Sequence, residues 1–124
     1  MSGHEKIEIA RELLERNLRD LIASIKIDYN IPRLTVILTD GAQIIIRYNN
    51  HEEYAYFIIY SESELDRCLF DNYDRLWEVA TRPHHFHQRY EKLAIESPMN
   101  GDLAVDIIAL VEFIRYSKFL PDIH

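Results

Sequence analysis

Asp40-Gly41 lies between two runs, Arg33 to Thr39 and Ala42 to Tyr48, that are rich in β-branched and aromatic residues. Asp-Gly between such runs is the strongest short-range signal of a β-hairpin. Glycine accepts the positive φ that a type I′ turn demands, and this commits the middle of the chain to an antiparallel sheet. Asn49 to Glu52 reads as a second turn. Beyond it Tyr54, Tyr56, Ile58 and Tyr60 alternate with Ala55, Phe57 and Ile59, which predicts a strand that is apolar on both faces and therefore central. Ser61 to Glu64 makes a third turn, Leu65 to Asn72 a fourth strand, and Leu76 to Thr81 offers a fifth. The reading is an antiparallel meander of four to five strands.

Helical periodicity brackets this sheet. From Glu5 to Lys26, Ile7, Ala10, Leu14, Leu18, Leu21, Ile22 and Ile25 recur at three- and four-residue steps, the stripe of an amphipathic helix. Glu12 with Arg16 and Glu15 with Arg19 are spaced for i,i+4 pairs on its wet face. Asn30-Ile31-Pro32 ends it. Near the C-terminus Ser97-Pro98 and Gly101-Asp102 carry helix-start chemistry. Ala104, Ile107, Ile108, Val111 and Ile114 then predict a second stripe, ending near Ser117 or Lys118, with Pro121 disfavouring helix at Leu120. The fold class is α+β: an N-terminal helix, the meander and a C-terminal helix. Two helices that must each bury a stripe beside one sheet leave the other sheet face for a site.

The 124 residues make one domain, 1–124, long enough to bury a core. With three glycines and four prolines there is neither linker nor low-complexity tract. The N-terminus lacks a signal-peptide pattern, and no stretch approaches the roughly 18 apolar residues of a membrane span, so no membrane partner and a cytoplasmic location are expected. The one cysteine, Cys68, sits among apolar residues and reads as a buried thiol. A net charge of −7 counts against coating nucleic acid by charge alone. The charge is uneven: residues 1–64 hold eleven acids and seven bases, whereas Arg82, Arg89 and Lys92 face only Glu91 in residues 82–92. A locally basic strip on an acidic body suits a small polyanion contact.

That strip contains Arg82-Pro83-His84-His85-Phe86-His87, three of the six histidines within four positions. In an extended segment His85 and His87 share one face while His84 and Phe86 take the other. Pro83 favours extended backbone at Arg82 and does not itself fit a central strand. Three readings follow. The imidazoles are acid–base catalysts, one removing a proton while another donates one, as RNA cleavage needs, with Arg82 and Arg89 supplying a cation for the phosphate. Alternatively two histidines ligate a metal with a carboxylate such as Asp71. Or they are structural and do no chemistry. Asp71-Asn72 reads as a turn-forming pair or as the carboxylate that holds a histidine tautomer. Trp77, Tyr54, Tyr56, Tyr60 and Tyr73 are candidates for base stacking, although strand aromatics more often belong to the core. There is no Gly-rich phosphate loop, no serine elbow and no cysteine pair.

Arg67-Cys68-Leu69-Phe70-Asp71-Asn72, followed by Thr81-Arg82-Pro83-His84-His85-Phe86-His87, resembles the TumE-like toxin family of prokaryotic type II toxin–antitoxin systems. The opening helix, the meander and the closing helix extend the likeness over most of the chain. The resemblance implies a ribonuclease toxin partnered by RNA and by a DNA-binding antitoxin protein. The matching positions are Asp71, Asn72, Pro83, His84, His85 and His87. Many relatives carry a further Pro-His-His after Asp-Asn, where this chain has Tyr73-Asp74-Arg75-Leu76-Trp77, so Arg75 is a substitute for those histidines or the activity is altered. Together these readings assign His84, His85, His87 and Asp71 to catalysis and Arg82, Arg89 and Asn72 to substrate binding, with no metal and no cofactor. The alternative is a non-enzymatic binding module whose histidine cluster holds a metal, RNA or a protein partner.

Overall fold

The computed structural model describes residues 1–73 and 76–119, and the side chains among them up to residue 116. It is an α+β structure. Helix α1 (Gly3–Leu18) precedes strands β1 (Ile22–Asp28), β2 (Arg33–Leu38), β3 (Gln43–Tyr48), β4 (Tyr54–Ile59), β5 (Arg67–Asp71), β6 (His85–His87) and β7 (Ala94–Glu96), and helix α2 (Leu103–Phe119) closes the chain. The strands form one sheet in sequence order, every neighbouring pair antiparallel. β4 is its middle strand, as its two apolar faces predict. Among the described residues no helix is long and apolar enough to cross a membrane.

Helix α1 begins with a capping box: the Ser2 hydroxyl accepts from Glu5 N–H while the Glu5 carboxylate accepts from Ser2 N–H. It buries Ile7, Ala10, Leu14 and Leu18 and stops there, well short of Lys26. Ile22–Asp28 is strand β1 instead. Its register with β2 pairs Ile22 with Leu38 and Ile25 with Val36, and a bulge lies between Ile22 and Ser24. The extra residue turns a three-residue step into two positions on the same sheet face. Ile22 and Ile25 therefore imitate helical spacing while lying in a strand. On the wet face of α1 the ion pairs among the described residues run from Arg11 to Glu8 and Glu15, at 2.9 and 3.5 Å, in place of the Glu12–Arg16 and Glu15–Arg19 pairs.

The Asp40-Gly41 hairpin forms, by a longer route than a two-residue turn. Gly41 N–H donates to the Leu38 carbonyl and Leu38 N–H to the Ala42 carbonyl. Only Gly41, at φ 92°, has a positive φ in this loop. One left-handed glycine closing Thr39-Asp40-Gly41 is the three-residue hairpin with a bulge, not type I′. Leu76 to Thr81 is not a strand. There the N–H groups of Val79, Arg82 and His84 donate to the carbonyls of Trp77, Val79 and Thr81, local turn bonds in place of a strand ladder. The sheet is extended by β6 and β7, which makes seven strands rather than four or five.

Helix α2 buries Leu103, Ile107, Leu110 and Ile114, together with Asp106, while Ile108 stays 71% exposed. The stripe is rotated from the predicted one because 103–111 is apolar nearly all round, so periodicity leaves its phase open. Tertiary contacts choose it. Asp106 accepts hydrogen bonds from the Tyr56 hydroxyl at 2.8 Å and from the N–H groups of Asn100 and Gly101. Both helices cover the same face, α1 over β1–β3 and α2, through Phe113, over β5 and β6. Residues directly paired across strands share a face, so the uncovered face can be read from the register. One row runs Asp28, Arg33, Arg47, Ala55, Asp71, His85, Glu96, and the next runs Lys26, Thr35, Ile45, Phe57, Leu69, His87, Ala94.

Candidate functional site

The site follows from strand alternation at β5 and β6. Phe70 pairs with Phe86, and both turn inward, where their rings stack at 4.2 Å with Phe113 edge-on to each. Asp71, His85 and His87 must then turn outward, onto the face without helices. The stacked Phe70 and Phe86 rings, with Phe113 edge-on to both, hold the two strands in register from behind, so core packing sets the geometry of the polar groups.

Within that geometry His85 Nε2 lies 2.5 Å from Asp71 Oδ1. The other ring nitrogen, Nδ1, is 3.0 Å from the Pro83 carbonyl, which only accepts, so Nδ1 carries a proton. The imidazole is 1% exposed and is thus held at both nitrogens. His87, half-buried, stands edge-on to His85 with 5.1 Å between ring centroids. Trp77 lies edge-on to His87 at 5.3 Å between ring centroids and 6.3 Å from His85. One donor atom from each of Asp71, His85 and His87 falls within 4.8 Å of the other two. Such a set can pass protons or hold a cation.

The other expected residues go elsewhere. His84 takes the helix side, as alternation predicts, where its Nδ1 is 2.9 Å from the Tyr54 hydroxyl. Asn72 uses its amide on the backbone: Oδ1 accepts from Tyr54 N–H and Nδ2 donates to the Glu52 carbonyl, tying the end of β5 to the start of β4. Arg89 lies with Nε 2.5 Å from Asp66 Oδ1 and its guanidinium 4.1 Å from the Tyr60 ring centre. Burial works to raise the Asp66 pKa, but the hydrogen bonds from Arg89, Ser61 and Tyr90 outweigh it and hold the carboxyl below its ordinary value. Arg82 is exposed. Arg75 lies outside the described residues.

Of the aromatic candidates, Tyr54 and Tyr56 are core residues, Tyr60 lies under Arg89, and Tyr73 is 38% exposed. Burial raises the Tyr73 phenol, Arg47 opposes that, and Glu53 and Asp71 add to it. Cys68 is buried, and desolvation pushes its thiol up to about 12, far from the thiolate that nucleophilic chemistry needs. Arg33 and Arg47, on the same face and in the same row as Asp71 and His85, drew no attention in the sequence. Counting register outward from the Asp40-Gly41 hairpin pairs them with each other. Compared with protein-family models, curated proteins and solved structures, the chain matches none.

Proposed function

We propose that this chain is the toxin of a toxin–antitoxin pair, an endoribonuclease of the cytoplasm whose reaction centre is Asp71, His85 and His87. The observation that carries the reading is the convergence of these three side chains on the helix-free face, beside Trp77. The resemblance of the Asp-Asn and Pro-His-His-x-His segments to TumE-like toxins points the same way.

RNA cleavage by transesterification removes the 2′-hydroxyl proton as that oxygen bonds to phosphorus, and protonates the departing 5′-oxygen. His85 and His87 divide these two transfers. His87 is the half-exposed imidazole that meets the RNA, and Asp71 with the Pro83 carbonyl holds His85 in place. Exposed Arg82 and Arg47 supply positive charge for the phosphate. Trp77 offers a ring for a base. His84, turned to Tyr54, fastens the segment to the core and stands outside the reaction centre.

Incubating the purified chain with total RNA and with tRNA, beside the His85→Ala/His87→Ala variant, tests this directly. Wild type should cleave, and the variant should lose at least about 100-fold in rate, the ordinary contribution of positioned acid–base groups. Equal rates would remove the assignment of these histidines. No cleavage by wild type of either substrate, with or without EDTA, would remove the ribonuclease reading.

A further inference from the structure

We propose that Asp71, His85 and His87 also form a two-histidine, one-carboxylate site for a divalent transition metal, zinc foremost, and that its occupancy silences the cleavage proposed above. The metal site rests on geometry alone; the silencing rests on the ribonuclease reading.

Three features support a metal. The donor atoms lie within 4.8 Å of one another, and donors bound to zinc at about 2.0–2.2 Å stand roughly 3–4 Å apart, so modest side-chain rotations close the set. His85 already has the outer partner of a metal-bound histidine: Nδ1 donates to the Pro83 carbonyl, which fixes the tautomer and directs the Nε2 lone pair towards Asp71. His85 Nε2 and Asp71 Oδ1, 2.5 Å apart on one face, are an adjacent nitrogen and oxygen donor for a single cation. Two imidazoles and one carboxylate select zinc, nickel or cobalt over magnesium and calcium, which prefer all-oxygen sets. Three protein donors would leave a fourth coordination position for a further ligand. The lone pairs that bind metal are those that carry protons in cleavage, so the two states exclude each other.

Trp77 is the only tryptophan, so its fluorescence reports on this site. The metal-stripped full chain is titrated with zinc chloride by calorimetry, and with cobalt(II) by visible absorption and Trp77 quenching. Asp71→Asn and His87→Ala, checked for native circular dichroism, run alongside. One ion per chain at micromolar or tighter affinity, weakened at least tenfold in both variants, is the expected result. No stoichiometric binding, or binding untouched by the variants and therefore due to other histidines, overturns the site. In RNA cleavage, zinc should suppress the rate and EDTA restore it. Cleavage that disappears in EDTA and returns with zinc overturns the silencing and makes the ion a cofactor. Binding without any cleavage at either metal state overturns the silencing together with the ribonuclease reading, and supports the metal site.

Discussion

Phe70 and Asp71 are adjacent in the chain and do opposite work. Phe70 is 1% exposed, stacked on Phe86 and edge-on to Phe113, whereas Asp71 meets His85 on the other face. Replacing Phe70 with Ala removes a ring from a close-packed trio and should cost about 3–5 kcal/mol, read as a lower denaturation midpoint in urea. The same change slackens the β5–β6 register, so zinc or RNA affinity should fall even under conditions where the variant remains folded. Asp106 shows how a buried carboxyl is accommodated: its oxygens accept from Tyr56 and from two backbone N–H groups at the head of α2. Asp106→Ala takes the carboxylate acceptor from the buried Tyr56 hydroxyl and from two part-buried N–H groups, and should destabilise the fold by about 2–4 kcal/mol, measured by the same unfolding curves.

At the scale of elements, the turn into β5 is held by charge. Asp66 gathers Ser61, Arg89 and the Tyr60 backbone N–H at the point where β4 hands over to β5. Its carboxyl pKa is lowered in the folded state, so the stability it contributes is present above the ordinary carboxylate value of 3.8 and is lost as pH falls through the depressed one. Asp66→Asn should therefore be less stable near neutral pH by about 1–3 kcal/mol and lose part of the acid-side decline, which melting curves from neutral pH into acid will show. The end of β1 and the start of β2 are handled locally as well, by Asp28 accepting from the N–H groups of Asn30 and Ile31. Because β1 to β4 are joined by short turns, that part of the meander assembles from local pairings, whereas β6 reaches β5 only through the longer 72–84 connection.

For the molecule as a whole, the helix side of the sheet is a closed apolar layer into which several ionisable groups are packed neutral. Desolvation pushes Tyr48 up to about 12 and raises Tyr54 and Tyr56 further in the same direction, while Cys68 also reaches about 12. Raised acids contribute stability that is full below their ordinary values and disappears as pH rises through the folded ones. Alkaline unfolding should begin above the ordinary tyrosine value of 10 and be steep towards 12, with tyrosinate absorbance and loss of far-ultraviolet circular dichroism moving together. Tyrosinate forming well ahead of the loss of secondary structure would contradict a buried neutral cluster. The opposite face is half-exposed at Ile45, Phe57 and Leu69, carries Arg33 and Arg47, and ends at the histidine centre.

Local chemistry determined much of this. The Asp-Gly hairpin, the alternation of β2, β3 and β4 and the amphipathic Ile7–Leu18 stripe each act within a few residues, so the α+β class and the helix–meander–helix order were legible in the sequence. The outward pairing of His85 with His87 was legible too, because alternation alone dictates it. Legibility failed where a local pattern was degenerate. A bulge let Ile22 and Ile25 pass as helix, and the all-round apolar 103–111 left the phase of α2 to Asp106 and its partners. β6 and β7 are three residues each, too short to show a period, and exist because β5 offers an edge to β6 and β6 in turn one to β7. Tertiary structure alone decided that Asp71 stands opposite His85, that Trp77 covers both histidines, and that Asn72 and Arg89 are spent on the scaffold. Those are relations between segments far apart in the chain, set by register and core packing, and no spacing within a single segment encodes them.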